Sequence, residues 1–342
     1  LSEIPNRLTG STRYSAEPGL DYVAVKMPRW DLGKFKSVDR HIGPEMKSVG
    51  VAMAFGRSFE EAIQKAARMA EAGAPGIACN PFSFRDLKDA LKNPTDLRIF
   101  AAYNALKEGW SNDRVYKYAR IDRWFILSIR RILAIETELR ACGGLPPREL
   151  LARAKKAGFS DEQIGLCAGT RAEKIRLLRR ELSLRPVVKQ IDPGAAACAT
   201  KNPALYLPYN GGTDDAQPIG KGALVPGSGP YHIGSSLEYD WCAASALATL
   251  KKIGVPSIMI NSNPEAATTS FDAADRVYHE ETSLERVLDV FEAERPDGVL
   301  LSYGGQATND LAMSLSRLGV PTFGTAPADI DRAEDRKKFS AL

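Results

Sequence analysis

Between Ala223 and Ile330 the chain alternates short apolar runs with amphipathic stretches, and several of the runs end in turns rich in glycine or asparagine. Short buried runs separated by helical periods are the pattern of a parallel sheet whose faces are covered by crossover helices. The first run, Ala223–Val225, passes through Pro-Gly-Ser-Gly-Pro-Tyr-His-Ile-Gly into a helix expected over Ser236–Ile253. Further strands are expected at Ser257–Asn261, Gly298–Ser302 and Pro321–Phe323 and a short one near Arg276–Tyr278, with helices at Ser283–Glu294 and Thr308–Leu318. The fold class expected here is α/β, a doubly wound parallel sheet with right-handed crossovers. Pro226 is discordant, because proline is poorly tolerated in a central strand.

In such a sheet the loops at the carboxyl ends of the strands gather along one edge, where ligands bind. Three loops are expected there. One holds Gly227, Gly229, Gly234 and Glu238; the next holds Asn261, Asn263 and Glu265; the third holds Gly304, Gly305 and Gln306. A glycine-dense turn before a helix lets backbone N–H groups and the helix N-terminus face an anion, so the set points to a phosphate or carboxylate-type ligand. A nicotinamide site would need an earlier third glycine and an acid closing the second strand. Here the third glycine is Gly234 and the second strand ends in Asn261 and Asn263, which counts against a dinucleotide. His232 reads as a hydrogen-bonded structural histidine, and Cys242 beside Trp241 reads as core.

Upstream, residues 80 to 185 are helical throughout. Helices are expected at Thr95–Glu108, Ser111–Tyr118, Ile121–Cys142, Pro147–Gly158, Ser160–Cys167 and Thr170–Leu182, the last two capped by Ser and Thr. The long one is expected to bury Trp124, Phe125, Ile129, Ile132, Leu133 and Ile135 on one broad face. The pair from Phe159 has helix-turn-helix spacing, but no basic arm accompanies it, so a helical bundle is the reading. The basic cluster Arg171 to Arg185 alternates with Leu and Glu and reads as a solvated helix face. Before this region, Asp21–Lys26 is expected as a strand ended by Pro28, and Glu45–Phe55 holds a second apolar run. Ser58-Phe-Glu-Glu61 forms a capping box opening a helix through Ala70. Residues 186 to 222, rich in Pro, Gly, Ala and Asn, read as a connector.

The 342 residues suffice for two or three domains, and a net charge of +4 is small for that length, which argues against nucleic-acid binding. No apolar run approaches the roughly 18 residues of a membrane span. The five cysteines, Cys79, Cys142, Cys167, Cys198 and Cys242, show no paired spacing, and three histidines are too scattered for zinc, so free thiols in a reducing compartment are expected. The chain starts at Leu1 and stops at Ala341-Leu342 within what reads as a starting helix, so a piece of a longer polypeptide is expected.

Taken in order, these motifs resemble the large subunit of carbamoyl-phosphate synthetase. Gly227 to Cys242, Asn261-Ser-Asn-Pro-Glu265, Gly304-Gly-Gln306, Gly324-Thr325 and Ile330-Asp-Arg-Ala-Glu-Asp-Arg336 are similar to the start of the family's second half, with the Pro-Tyr-His-Ile-Gly-Ser-Ser wording of eukaryotic-type enzymes. Lys117 to Phe125 and Gly158 to Ile164 resemble its helical oligomerisation domain. Arg185 to Asp192 resembles the connector, and Asp21 to Trp30 with Met46 to Gly50 resemble the end of the first ATP-grasp domain. The resemblance implies an ATP-grasp tail at 1–78, an all-α oligomerisation domain at 79–185, a connector at 186–222 and a Rossmann-like pre-ATP-grasp domain at 223–342. It implies an ATP-dependent ligase making carbamoyl phosphate from bicarbonate and ammonia or glutamine, for arginine, pyrimidine or urea synthesis. ATP and Mg²⁺ (or Mn²⁺) would be held by ATP-grasp bodies outside this chain, leaving the chain without catalytic or metal-binding residues and inactive alone. Gly227, Gly229, Gly234, Glu238, Asn261, Asn263, Glu265, Gly304, Gly305 and Gln306 would line the carbamate passage, and Arg336 would lie near nucleotide phosphates. Implied partners are the rest of the large subunit, a glutamine amidotransferase, and a second copy through residues 79–185, with no nucleic acid and no membrane. The implied compartment is the cytoplasm, or the mitochondrial matrix for a urea-cycle type. The alternative reading is a stand-alone oligomerising scaffold whose α/β domain binds an anion without chemistry.

Overall fold

The computed structural model describes residues 2–7, 9–10, 12–70, 73–194, 200, 202–235 and 237–341; Cys198 and the expected helix start at Ser236 lie outside them. An antiparallel hairpin pairs β1 (Val23–Arg29) with β2 (Gly50–Gly56). Pro28, expected to end the first strand, lies inside it opposite Val51. Among the described residues β1 has β2 as its single ladder partner, so an N–H missing on the outer side costs no ladder bond. Helix α1 (Phe59–Met69) starts at Ser58, whose hydroxyl accepts from the Glu61 N–H at 3.2 Å. The capping box is one-sided, because the Glu61 carboxylate accepts from the Arg57 N–H at 2.8 Å.

The helical unit follows as α2 (Leu87–Lys92), α3 (Arg98–Lys107), α4 (Asn112–Ala119), α5 (Arg123–Ala141), α6 (Arg148–Lys156), α7 (Asp161–Ala168) and α8 (Ala172–Glu181). Its core gathers Phe100, Ile126, Ile129, Ile132, Leu151 and Ile164, and Ile63 of α1 packs into the same cluster. Three expectations change. Helix α3 begins at Arg98, because Thr95 instead makes an isolated bridge with His41. Trp124 and Phe125 are exposed at the start of α5, against each other and Phe59, and the buried stripe runs through Ile126, Ile129, Ile132, Glu136 and Leu139. Thr170 does not cap α8, since its N–H closes the α7 turn on the Gly165 carbonyl at 2.9 Å, and Arg171 takes the cap position without a side-chain bond. Ser160 and Gln163 form the full capping box of α7.

The expected sheet is present and larger than expected. Its order is β3 (Lys189–Gln190), β4 (Ala204–Tyr206), β7 (Arg276–Tyr278), β6 (Ser257–Ile260), β5 (Ala223–Pro226), β8 (Gly298–Leu300), β9 (Thr322–Phe323). All neighbours run parallel except the β3–β4 pair. The connector therefore supplies two strands; strands this short carry no periodicity for a sequence to display. Pro226 closes β5 without loss. The Gly227 N–H reaches the β6 side at Ile260, so the proline nitrogen faces β8, where pairing covers only Ala223 and Leu224. Helices α9 (Leu237–Lys252) and α10 (Leu284–Glu294) cover the sheet. The single helix expected after β8 is two, α11 (Gln306–Asn309) and α12 (Ala312–Arg317), followed by α13 (Pro327–Glu334) and α14 (Arg336–Phe339). Leu224, Ile258, Ile260, Tyr278 and Val299 form the buried apolar centre. No helix among the described residues is long and apolar enough to cross a membrane.

Candidate functional site

From β5 the chain steps to β6 and β7 on one side, then returns to β8 and β9 on the other. The strand order thus reverses between β5 and β8, where doubly wound sheets place their crevice. Gly227, Asn261 and Gly304 meet there. A methyl group on Gly227 would stand 2.7 Å from Asn261 Nδ2, and one on Gly304 would stand 2.6 Å from the Pro226 carbonyl oxygen. These glycines therefore serve loop-to-loop packing in the first place. Gly305 adopts φ 69°, ψ −153°, a conformation essentially restricted to glycine, and packs on the Tyr239 ring. Thr308 ties the turn by donating to the Leu301 carbonyl at 2.5 Å.

The asparagines are buried, and their side-chain oxygens are occupied. Asn261 Oδ1 accepts from the Asn263 N–H at 3.1 Å, and Asn263 Oδ1 accepts from the Glu265 N–H at 2.9 Å, two successive Asx turns. Asn263 Nδ2 is buried with no hydrogen-bond partner. The residue that sequence reasoning missed is Asp240. Its buried carboxylate accepts from the Ala267 N–H at 2.7 Å and the Thr268 hydroxyl at 2.7 Å, pinning this loop to α9. Tyr231 donates to the same carboxylate; burial and the Asp240 charge push its hydroxyl up to about 12.

The remaining predicted residues scatter. Glu238 is exposed on the first turn of α9, and with Asp240 it places negative charge at that helix N-terminus. That charge complements the helix dipole and opposes an anion, so α9 does not present the bare cationic end expected of it. Gly234 lies in an exposed turn closed by mutual backbone bonds of His232 and Ser235 at 3.1 Å. Glu265 is exposed with Lys26 at 3.8 Å, and Gln306 is exposed and donates to Asp310 at 2.7 Å. Arg336 lies at the surface of α14, with no ion pair to these loops among the described residues. Gly229 lines a groove of about 690 Å³ with Arg68, Ser262, Glu281 and Thr282. The hairpin straps both the glycine loop and the asparagine loop: Asp31 accepts from the Ile233 N–H at 2.8 Å, and the Met53 N–H reaches the Ser262 carbonyl at 2.9 Å.

The loop after β7 carries the strongest electrostatics. Lys65 of α1, wholly buried, donates to Glu280 at 2.6 Å and to the Phe55 and Leu207 carbonyls at 3.1 Å. Arg68 pairs with Glu281 at 2.8 Å. On α10, Glu285 accepts from Lys155 at 2.6 Å, and Asp289 accepts from Arg176 at 2.8 Å. Arg179 forks onto Asp161 at 2.8 and 2.6 Å and donates to the Tyr209 hydroxyl at 2.6 Å. Burial opposes ionisation of Glu285, but Lys155, Arg179 and Arg286 hold it well below the usual carboxylate range. Arg176 and Arg179 thus turn inward, correcting the reading of their helix as a solvated basic face. His279, next to Glu280 and against the Phe55 ring, is buried with Nδ1 unpartnered, and burial pushes its pKa down to about 4.

Among the described residues, Cys79, Glu136 and Cys167 form the one His/Cys/Asp/Glu group close enough for a shared ion. Magnesium and manganese call for oxygen donors, and two thiols do not supply them. Glu136 is moreover saturated by Lys107 at 2.8 Å, Arg140 at 2.7 Å and the Tyr103 hydroxyl. The Cys79, Glu136 and Cys167 group therefore does not fit a nucleotide-bound Mg²⁺ or Mn²⁺.

Comparison with known proteins matches two regions to family models. Residues 51–183 match the carbamoyl-phosphate synthetase large chain, oligomerisation domain, and residues 220–332 match the carbamoyl phosphate synthase preATP-grasp domain. The chain is 44% identical over its full length to the arginine-specific carbamoyl phosphate synthase large chain, mitochondrial, of Schizosaccharomyces pombe, of which it spans 30%. A relative of the same name in Neurospora crassa is also 44% identical, with 100% of this chain and 30% of that protein covered. The human carbamoyl-phosphate synthase [ammonia], mitochondrial, is 44% identical, with 100% of this chain and 23% of that protein covered. The chain therefore spans less than a third of the length of these relatives.

Proposed function

Because the chain belongs to the carbamoyl-phosphate synthetase large-chain family, we propose that it works as the middle section of an ATP-dependent ligase that makes carbamoyl phosphate. The observation that carries this reading is the order of the two matched domains within one chain similar over its whole length to such enzymes. In this reading both phosphorylations use ATP and a divalent metal held by ATP-grasp bodies elsewhere in the polypeptide. Nitrogen comes from ammonia or from a glutamine amidotransferase partner, and residues 79–185 contact a second copy. The parent acts in arginine, pyrimidine or urea synthesis, in mitochondria or cytoplasm.

Within that scheme the switch-point loops face the route by which carbamate reaches the second phosphorylation. Gly227, Gly304 and Gly305 keep the edge slim, and Asn263 Nδ2 is a buried donor without an acceptor. A carbamate oxygen is a suitable acceptor, and a buried donor left unpaired otherwise costs about 1–3 kcal/mol. Gly229, Gly234, Glu238, Glu265 and Gln306 belong to the approaches, and Arg336 to the nucleotide side. The test is Asn263→Ala in the intact synthetase. Carbamoyl phosphate formation should fall at least tenfold while bicarbonate-dependent ATP hydrolysis by the first half stays at the wild-type rate. Equal loss of both, or loss of neither, removes these loops from the carbamate route. Carbamoyl phosphate made by residues 1–342 alone would refute the assignment of both phosphorylation sites to other domains.

A further inference from the structure

The thiols of Cys79 and Cys167, 88 residues apart in sequence, lie 2.8 Å from each other. That is about 0.8 Å more than an S–S bond. The surrounding backbone is held rather than loose. Gln64 Oε1 accepts from the Ile77 and Ala78 N–H groups at 2.8 and 3.1 Å, and Gln163 Nε2 donates to the Ala78 carbonyl at 2.9 Å. Cys79 itself sits at φ 58°, unusual for a residue with a side chain, and its N–H donates to Glu136 at 3.2 Å. Cys167 is buried at the end of α7, and Cys79 is half-buried. Arg140 stands 3.9 Å from Cys79 Sγ.

We propose that Cys79 and Cys167 are a redox modification site, closing reversibly to a disulfide when the protein meets a peroxide. Either sulfur can donate in the contact they share; with Cys79 as donor the Cys167 thiolate is favoured against burial and the neighbouring Glu136 charge, and Arg140 and Lys107 add positive charge nearby. The thiolate attacks one oxygen of hydrogen peroxide, the O–O bond breaks, and Cys167 becomes a sulfenic acid as hydroxide leaves and takes a proton to become water. Cys79 sulfur then attacks Cys167 sulfur; the S–O bond breaks, and the departing hydroxide takes the Cys79 proton. In sum two thiols and one peroxide give one disulfide and two waters. The bond ties the segment after α1 to α7, inside the unit whose α6–α8 face grips α10. A metal bridging the thiols is disfavoured, because Glu136 already accepts four hydrogen bonds, two of them from the cations Lys107 and Arg140.

The experiment treats the native chain with hydrogen peroxide, alkylates it under denaturing conditions and maps the peptides by mass. The expected result is a peptide pair joining Cys79 to Cys167 that dithiothreitol separates, formed equally in Cys142→Ser and Cys242→Ser chains. In Cys79→Ser, Cys167 should instead progress to acids that dithiothreitol does not reverse. The main reading comes from the wild-type chain, so a folding defect in a variant does not obscure it. Cys79 and Cys167 both found alkylated while exposed Cys142 is oxidised would overturn the proposal. So would stoichiometric zinc or copper bound through the two thiols.

Discussion

The loops after β5, β6 and β8 and the loop after β7 lie along the same edge of one sheet, yet they use polar residues in opposite ways. In the first group the polar side chains mostly serve their own turns: Asn261 and Asn263 fold back on the next N–H groups, and Asp240 holds the turn that follows. After β7 the side chains reach out of the sheet unit, Glu280 to Lys65 and Glu281 to Arg68, and α10 continues outward to Lys155 and Arg176. One set keeps an edge slim and closely packed; the other fastens the sheet to α1 and the helical unit. Polar residues at a sheet edge are thus ambiguous until their partners are known, since the same residue types build a crevice or a joint.

The joint should be the more sensitive of the two. Lys65→Met removes the nearest positive partner of the wholly buried Glu280, leaving it, among the described residues, only Arg286 at 3.6 Å, and is expected to cost up to about 3–5 kcal/mol, because the buried negative charge is left under-compensated. Urea unfolding measures this, and a cost below about 1 kcal/mol would mean that the joint is not held by charge. The second effect is a pH dependence of the same corner. His279 is held at about 4, below the ordinary 6.5, so between those values the unfolded chain takes up a proton that the folded chain refuses. Stability from this group is full above about pH 6.5 and is lost as pH falls toward 4, by roughly 3 kcal/mol in all. His279→Phe should flatten the urea midpoint over that window. Glu136, held down to about 2 by Lys107, Tyr103 and Arg140 against its burial, loses its contribution at lower pH, below about 4.5. An unchanged slope in His279→Phe would shift the acid sensitivity to other groups.

The crevice gives the smallest effect. Gly304→Ala sets a methyl group against the Pro226 carbonyl and is expected to lower stability by about 1–3 kcal/mol, read as a shift in thermal midpoint. The neighbouring Gln306→Ala should stay within about 0.5 kcal/mol, since that side chain is exposed. If Gly304→Ala proves as harmless as Gln306→Ala, the loops are not closely packed and the contrast between crevice and joint fails.

Much of the sheet was legible. The short strand expected near Arg276–Tyr278 is there, and those starting at Ala223, Ser257 and Gly298 match to within two residues at their ends, because apolar runs bounded by turns carry their own signal. The same logic failed for β3 and β4, too short to show a pattern, and for Trp124 and Phe125, where aromatic size suggested burial that a helix start at the surface does not supply. Of the candidate site, Gly227, Asn261, Asn263, Gly304 and Gly305 converge, whereas Glu238, Gln306 and Arg336 remain at the surface.

What the amino-acid order by itself determined is local: the turns at strand ends, the caps at Ser58 and Ser160, the βαβ rhythm, and through its motifs the family. These depend on residues within a few positions of one another, where spacing alone reports geometry. Only the tertiary structure decided which charges are buried and which thiols meet. Lys65 and Glu280 are 215 residues apart, and Cys79 and Cys167 are 88 apart. Nothing in their flanks distinguishes a buried ion pair from a solvated one. The energy of such a pair depends on the low dielectric that surrounds it and on the hydrogen bonds completing it, and both are supplied by distant segments once the chain has folded.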